Sequence, residues 1–278
     1  MTKLSEQNIP VVVGVGVAQQ CYGDPLSAGQ PYQLMTEAVE AAAVDAGSEQ
    51  LLAEADIIYV PRGMWDYSDP ARLIANEIGA AQARTVLAEF GILQQSLIAD
   101  ACSKIQGGEL DIAIVAGGEA KYRQLRAAIT QTELSADLQQ QGVEPDVTLT
   151  PAEELWSPIE ADAGLGMPVG YYAMMESALR KAAGLSIEQH RDTLAALYQR
   201  FSQVAVDNAD AWNRKPITAE TIRNPSSSNK MLAFPYTKLH STQWNVDQAA
   251  GLIVCSQKKA EELGIASDKW IYPVVSTE

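Results

Sequence analysis

The first 120 residues alternate between strand-like and helix-like segments, and this alternation limits the fold more than any other feature of the sequence. PVVVGVGVAQQ and ADIIYVPRG are rich in β-branched residues, and the segment between them, from Pro31 to Gly47, places apolar residues at helical spacing. ARTVLAEF and IAIVAGGEA lie on either side of a helix from Ile92 to about Gln106. This β-α-β-α-β-α-β order predicts an α/β fold with a mostly parallel sheet and covering helices.

The pattern changes after Ala120. Residues 121–235 combine polar helical segments with long stretches rich in Pro and Gly, which predicts a helical insertion with long loops. One of its helices starts at a capping-box pair, Ser186 and Gln189. The apolar stripe of that helix consists of Leu194, Leu197, Tyr198, Phe201, Val204 and Ala205. The strand-helix rhythm resumes at Asn245, so the three predicted parts are 1–120, 121–235 and 236–278. The length allows one large domain or two modest ones.

Charge and residue spacing exclude several classes of protein. The formal net charge of -15 argues against a nucleic-acid or anionic-membrane partner, because such surfaces need clustered Lys and Arg. No apolar run reaches the length of a membrane span, and the N-terminus lacks the features of a secretory signal. The three cysteines and two histidines are scattered without metal-binding spacing. We therefore expect a reduced, cytoplasmic protein with no metal site.

The glycines of VVVGVGVAQQ offer an alternative interpretation as a dinucleotide-binding loop. Gly14 and Gly16 match the first part of that fingerprint, but the third glycine is missing. The next helix does not begin until about Pro31, too far away to present its N-terminus to a pyrophosphate. We disfavour this interpretation.

Four stretches, in this order, resemble the thiolase superfamily. They are PVVVGVGVAQQ, the helix from Ile92 with IAIVAGGEA after it, SIEQHRDTLAALYQRFSQVAVDNA, and WNVDQAAGLIVCSQKKAEELGI. The phrase FPYTKLHSTQWNVDQAA is most similar to the sterol-carrier-related branch. The resemblance implies a thiolase-like fold: an N-terminal α/β half, a helical loop domain that covers the ligand, and a second α/β half, of which 236–278 would be an incomplete beginning. It also implies that the protein is either truncated or completed by another chain.

The same resemblance places the family's nucleophile at a glycine. Counted back from VAGG, the catalytic cysteine of a thiolase falls at or next to Gly91, at the start of a helix whose N-terminus would lower a thiol pKa. Neither Phe90 nor Ile92 is a nucleophile. The family's Asn-x-His-Gly-Gly and Cys-x-Gly motifs would fall beyond Glu278. The resemblance therefore implies no catalytic residue at the matching position, and whether the chain is an enzyme stays open.

The three cysteines and two histidines are the candidate substitutes for the missing nucleophile. Cys102 and Cys255 lie on predicted core faces, so we interpret them as small hydrophobic residues. Cys21 follows the first strand in a loop that a ligand could reach, but no base is predicted beside it. We interpret His190, in the first turn of a polar helix, as a solvated surface residue. His240 lies in a loop where thiolase relatives pass the pantetheine arm of coenzyme A, although a histidine bonded to the loop backbone is the favoured alternative.

The first functional hypothesis is an acyl-coenzyme A-binding, thiolase-like protein with little or no thiolase activity. Coenzyme A or acyl-CoA would be a non-covalent ligand, and glycines would let its thin pantetheine arm approach the backbone. The predicted ligand-binding residues are Gly91, Gly117, Gly118, His240, Ser241 and Gln243. Candidates for the ligand phosphates are Lys121, Arg123, Arg126, Arg214, Lys215 and Lys230. Each of these basic residues is also explained as an ordinary solvated side chain.

Two further hypotheses stay open. One is an acyltransferase of the acetyl-CoA acetyltransferase type, completed by another chain or by further C-terminal sequence. The other is a non-catalytic scaffold subunit, as a homodimer or with a heteromeric thiolase-like partner, whose interface would lie around RTVLAEF. All three place the protein in acyl-CoA and lipid metabolism.

Overall fold

The computed structural model describes residues 8–134, 139, 142–153 and 155–277. The strands among these residues are β1 (Pro10–Gln19), β2 (Ile57–Pro61), β3 (Arg84–Ala88), β4 (Ile112–Ala120), β5 (Val147–Leu149), β6 (Met231–Ala233), β7 (Tyr236–Thr237) and β8 (Asp247–Ser256). The helices are α1 (Pro31–Ala46), α2 (Gln50–Ala53), α3 (Pro70–Glu77), α4 (Gln94–Gln106), α5 (Lys121–Thr130), α6 (Pro158–Asp162), α7 (Pro168–Ala182), α8 (Ile187–Asp207), α9 (Ala219–Arg223) and α10 (Gln257–Glu262). In this part of the chain, no helix is long and apolar enough to cross a bilayer.

The chain forms two compact units. The α/β unit contains the residues up to Glu153 and those from Asn245 onwards, and the helical unit contains the residues between them. α5 therefore belongs to the α/β unit, although the sequence places it at the start of the helical insertion. The predicted division at 120 and 235 stays a prediction about domain architecture.

A six-stranded sheet, counted over the described residues, forms the centre of the α/β unit, with the strand order β1-β8-β4-β2-β3-β5. β2 runs parallel to β3 and β4, and β3 runs parallel to β5. β8 is antiparallel to both of its neighbours, β1 and β4. The predicted α/β class with a mostly parallel sheet is confirmed.

The position of β8 corrects one expectation from the sequence. We predicted that this strand starts a second α/β half, but it is an inner strand of the first sheet. Val254, for example, pairs with Val12 on one side and Ala113 on the other. Because β8 has a strand on each side, most of its residues are buried, and most are apolar. Ile271, which follows α10 in the chain, forms an isolated antiparallel bridge with Val12.

Helices cover both faces of the sheet. α1 and α3 contribute to the apolar cluster on one face, and Leu97, Ala101 and Ile105 of α4 pack on the other. α1 approaches β1 very closely, because a Cβ at Gly16 would lie 2.1 Å from the Ala38 carbonyl oxygen. Gly14 makes the same kind of approach to α1. These glycines lie inside a strand and accommodate a helix, so they do not form the loop that a pyrophosphate needs.

The edge of the sheet beyond β3 is occupied. β3 pairs with β5 through Val86, Leu87 and Ala88, and four of its five residues are buried. β3 therefore offers no unpaired edge to another chain at Val86–Ala88, and the predicted interface around RTVLAEF stays a prediction.

In the helical unit, α8 begins as predicted, but only its first half contains buried residues. Ser186 and Gln189 form both hydrogen bonds of the capping box, so the predicted start is confirmed. Leu194 is buried, but Phe201 and Val204 of the predicted apolar stripe are 55% and 71% exposed. His190 is buried instead, which corrects its assignment as a solvated residue. The buried residues of this helix are His190, Leu194 and Ala195, and the C-terminal part of the predicted apolar stripe is exposed.

The polar segment over residues 121–142 was predicted to be helical. α5 confirms this for its first ten residues, and Gln131 ends the helix in the left-handed conformation with φ 54°. Residues 135–138, 140 and 141 of the predicted helix lie outside the described part of the chain.

Candidate functional site

The turn between β3 and α4 has the backbone geometry that a glycine allows. Gly91 adopts φ 103°, in the region that side chains disfavour, and Ile92 N donates to the Glu89 carbonyl at 3.1 Å. Leu93 is the N-cap residue of α4 and has no side-chain acceptor for the first-turn N–H groups. Phe90 and Leu93 flank the glycine and are 52% and 56% exposed. The position assigned to the thiolase nucleophile is thus an uncapped helix start with apolar side chains around it.

An arginine-glutamate pair joins the ends of β2 and β3 beside this turn. Arg62 donates to both carboxylate oxygens of Glu89, at 2.8 and 3.1 Å, and to the Tyr67 carbonyl at 3.0 Å. Its guanidinium also lies 5.5 Å from the ring centroid of Trp65. Arg62 therefore holds the ends of two neighbouring strands at a fixed spacing.

A second carboxylate, Glu119, lies at the end of β4 under the loop that follows β2. Met64 N donates to its Oε1 at 2.5 Å, and Trp65 Nε1 donates to the Gly118 carbonyl at 3.2 Å. Lys121 Nζ holds the same loop by donating to the Met64 carbonyl at 3.1 Å. Gly63 is required by this packing, because a Cβ there would lie 2.1 Å from Trp65 Nε1.

The two carboxylates have opposite electrostatic environments. Hydrogen bonds from Arg62 hold the pKa of Glu89 below its usual value. Burial raises the pKa of Glu119, against the smaller lowering effects of the Met64 amide and Lys121. Arg62 therefore favours the ionised form of Glu89, whereas burial favours the protonated form of Glu119.

The predicted glycines at the end of β4 face opposite sides of the sheet. A Cβ at Gly117 would meet Pro61 Cγ at 3.2 Å, on the face that α4 covers. A Cβ at Gly118 would lie 2.7 Å from Ala249 Cβ and 2.9 Å from Met35 Cγ, on the α1 face. Packing against α1 accounts for Gly118, and only Gly117 shares a face with the start of α4.

The other predicted ligand-binding residues belong to the helical unit. His240 is buried, its Nδ1 accepts from Thr237 N at 3.2 Å, and its ring lies 5.0 Å from that of Tyr198. Burial lowers its pKa, and Arg191 adds to this effect. Its Nε2 has no hydrogen-bond partner in the described part of the chain. This placement favours the alternative of a structural loop histidine.

Ser241 and Gln243 lie just after His240. Gln243 is exposed, and its Nε2 donates to the Ser241 carbonyl at 3.1 Å. The side-chain oxygens of Ser241 and Gln243 form no hydrogen bond within the described residues. Their assignment to a ligand stays a prediction.

A buried polar cluster near His240 was not expected from the sequence. Glu176 of α7 accepts a hydrogen bond from the Tyr236 hydroxyl and lies 2.9 Å from His190 Nε2. Burial raises the pKa of the Tyr236 hydroxyl, so the phenol stays protonated. This cluster explains why α8 buries His190.

Cys102 and Cys255 lack the environment of an activated thiol. Cys255 is fully buried, and burial raises its pKa to about 12. Burial also raises the pKa of Cys102. Cys21 is exposed in its loop. The two raised pKa values oppose thiolate formation and support the interpretation of Cys102 and Cys255 as core residues.

Lys121, Arg126 and Arg214 are among the candidate phosphate-binding residues that have intramolecular partners. Lys121 holds the loop over Glu119, Arg126 Nε donates to the Gly23 carbonyl, and Arg214 Nε donates to the Val206 carbonyl. Arg123 is buried, whereas Lys215 and Lys230 are exposed. Within the described ranges, no three His, Cys, Asp or Glu side chains are grouped to hold a metal ion.

A cavity in the helical unit lies elsewhere, between α8 and α9. Its lining residues are Asp192, Ala195, Ala219, Glu220, Arg223 and Asn224. Arg223 is already paired with Asp192 at 2.6 Å. The cavity contains no residue that the sequence assigned to a ligand.

Sequence analysis missed the residues that converge at the carboxyl edge of the sheet. Arg62 and Trp65 follow β2, and Glu119 lies at the end of β4, where parallel strands of one sheet bring their carboxyl ends together. That signal was available from the sequence. The contact between the loop after β2 and the end of β4 was not, since these segments are separated by more than fifty residues.

No protein-family model and no curated protein matches the sequence. Solved structures do match this chain. A monomeric SCP2-thiolase like protein type 1 from Mycobacterium smegmatis shares 25% identity with a TM-score of 0.70, over 96% of this chain and 50% of that chain. The Ltp2-ChsH2(DUF35) aldolase shares 19% identity with a TM-score of 0.60, over 93% and 58% of the two chains. An acetyl-CoA acetyltransferase from Syntrophomonas wolfei shares 20% identity with a TM-score of 0.55, over 94% and 68%.

The chain thus spans about half the length of the first of these proteins. The similarity covers both the sheet and the helical unit, because more than nine-tenths of this chain is matched in each case. The resemblance found in the sequence is confirmed at the level of the architecture: this chain has a thiolase-like fold.

Proposed function

We propose that this protein binds acyl-CoA thioesters at the carboxyl edge of its sheet and does not form an acyl-enzyme at the position of the thiolase nucleophile. One observation carries the proposal. Gly91, with φ 103°, occupies the turn between β3 and α4, where the family resemblance places the reactive cysteine. The backbone there is shaped for a glycine, and a glycine cannot attack a thioester.

The surroundings of Gly91 suit an acyl thioester. Phe90 and Leu93 offer apolar surface to an acyl chain. The uncapped first turn of α4 offers N–H groups to a carbonyl oxygen. Gly117 lies on the same face of the sheet and carries no side chain there, although Pro61 packs 3.2 Å from where its Cβ would be.

Calorimetric titration with coenzyme A, acetyl-CoA and a longer acyl-CoA tests the proposal. Leu93→Asp places a negative charge at the helix start, and Asp is itself a good N-cap, so the variant should fold at least as well as the parent. We expect its affinity for acyl-CoA to fall by at least about tenfold through repulsion of the ligand. Val44→Asp, at an exposed position on α1, is the matched control. Absence of heat with the unmodified protein at millimolar ligand would refute the proposal.

Ser241→Ala and Gln243→Ala test the assignment in the helical unit separately. We expect each variant to lower affinity several-fold if the side chain contacts the pantetheine amides. Unchanged affinity in both would remove these residues from the site and leave the carboxyl-edge proposal intact.

Alkylation of an introduced cysteine tests the position of the nucleophile. Gly91→Cys is strained by the positive φ, so Ile92→Cys is measured beside it. At least one of the two thiols should react with iodoacetamide faster than the exposed Cys21, because the helix N-terminus stabilises a thiolate. Slow reaction of both would mean that the position has been assigned wrongly.

A subunit function is the second candidate, and one observation favours it. Val15 and Val17 of β1 are 55% and 54% exposed on the sheet face opposite α1. Sedimentation of the purified chain tests self-association, and Val15→Lys should abolish it if this face is the interface. A monomer at all concentrations would exclude the homodimer.

The acyltransferase alternative predicts turnover without an acyl-cysteine near Gly91, which mass spectrometry of the protein after acyl-CoA addition checks.

A further inference from the structure

We infer that Glu119 is the base that removes a proton from the carbon beside the thioester carbonyl of a bound acyl-CoA. This inference rests on the proposed function and adds a chemical step to it. The step needs a carboxylate that is fixed in place, only partly solvated, and on the same face and edge of the sheet as the thioester position. Glu119 meets each of these requirements.

The carboxylate is fixed by the loop above it. Met64 N binds Oε1, and Trp65 is anchored to the neighbouring Gly118 carbonyl. Lys121 ties the carbonyl of Met64 to the start of α5. Oε2 forms no hydrogen bond within the described residues, and the side chain is partly exposed. One oxygen therefore orients the group, and the other is available to a ligand.

The location of Glu119 follows from strand alternation. Ala113 and Val115 of β4 pack against α4, and Gly117 and Glu119 follow them at two-residue steps on the same face. α4 begins at the carboxyl edge of the sheet, where β4 ends. Glu119 and the start of α4 thus share one face and one edge of the sheet.

The contrast with Glu89 distinguishes a base from a structural carboxylate. Both oxygens of Glu89 are held by Arg62, which also lowers its pKa. Among the described residues, Glu119 has no arginine partner, and burial raises its pKa, which makes the carboxylate a stronger base. Of these two groups at the edge, only Glu119 has both a free oxygen and increased basicity.

The chemical step is balanced without any further reactant. The Glu119 carboxylate takes a proton from the α-carbon, and the electron pair of the C–H bond moves to form an enolate on the thioester oxygen. The carboxyl group exchanges its proton with solvent and returns one to the α-carbon. The net result is exchange of the α-hydrogens with water, with the thioester intact.

Proton NMR of acetyl-CoA in D₂O, with and without the protein, tests this step. We expect the methyl signal to be lost through deuterium incorporation while the thioester remains. Glu119→Gln keeps an acceptor for Met64 N and should lower the exchange rate by at least about 100-fold, with affinity for acetyl-CoA retained. Glu119→Asp should give an intermediate rate. Glu77→Gln, at an exposed position on α3, is the control and should match the parent.

A pH profile separates catalysis from a structural role. The exchange rate should rise as the pH increases above the usual carboxyl pKa of 4.5 and level off once Glu119 is ionised, a dependence that Glu119→Gln should lack. Binding of acetyl-CoA without exchange, or equal rates for the parent and Glu119→Gln, would overturn the inference while the proposed function stands. Absence of binding would overturn both.

Discussion

Replacing Gly16 by alanine should destabilise the α/β unit more than any other single added methyl group in β1. The new Cβ would lie 2.1 Å from the carbonyl oxygen of Ala38 and 2.4 Å from the amide nitrogen of Ala42. Both are backbone atoms of α1, so no side-chain rotation relieves the contact. The helix itself has to move away from the strand.

The size of the effect follows from that movement. An unstrained carbon contact is about 3.5 Å, so α1 would have to move by roughly 1.4 Å, the difference from 2.1 Å. Nine residues of α1 are buried, and a shift of this size weakens their dispersion contacts with the sheet. Overpacking of a core costs ~1–3 kcal/mol, and we expect about 3 kcal/mol or more here because the contact is with backbone. A loss of about 3 kcal/mol corresponds to ~6–12 °C in Tm.

Thermal and urea unfolding followed by circular dichroism measures this loss. Gly251→Ala, whose Cβ would lie 2.9 Å from the Ala38 carbonyl, should lose less stability than Gly16→Ala. A Cβ added at Gly23 would have no atom within 4 Å, so the unfolding free energy of Gly23→Ala should be within about 0.5 kcal/mol of the parent's. Equal stability of Gly16→Ala and Gly23→Ala, or rescue of Gly16→Ala by Ala38→Gly, would refute the backbone contact between α1 and β1.

Two further predictions concern buried polar groups. Asp247→Ala should lower the unfolding free energy by about 2–3 kcal/mol, because the carboxylate accepts from Tyr122 N at 2.7 Å and Arg123 N at 3.0 Å at the start of α5. Asp247→Asn keeps one acceptor oxygen and should lose less in the same unfolding assay. Burial lowers the folded-state pKa of His240 below the usual 6.5, so its contribution to stability is present above pH 6.5 and lost as the pH falls. His240→Asn, which keeps an acceptor for Thr237 N, should flatten the dependence of unfolding free energy on pH below 6.5; an unchanged slope would contradict the assignment.

Local elements of this protein were predictable because their signals lie within a few residues of each other. The alternating strands and helices of the first 120 residues, the helix end at Gly47 and the capping box at Ser186 are all confirmed. Each depends on periodicity or on a cap that the neighbouring sequence contains. The thiolase-like fold was recognisable for the same reason, from the order of four such segments.

Site residues were predictable only in part. The turn at Gly91 was located from the sequence, because a helix that follows a strand marks it. Arg62, Trp65 and Glu119 were missed, since their importance depends on contacts between loops that lie far apart in the chain. The surface role assigned to His190 was wrong, since Glu176 on another helix provides its buried partner.

The sequence by itself determined the main strands and helices of the first 120 residues, the start of α8, and that these segments assemble as an α/β fold. Only the tertiary structure decided that β8 is inserted antiparallel between β1 and β4, that β5 covers the edge of β3, and that Gly14 and Gly16 admit α1 rather than a ligand. The physical reason is the sequence separation over which each effect acts. Backbone propensity and capping act within one or two turns of the chain, whereas strand partners and close helix-strand contacts are selected by packing between segments more than twenty residues apart.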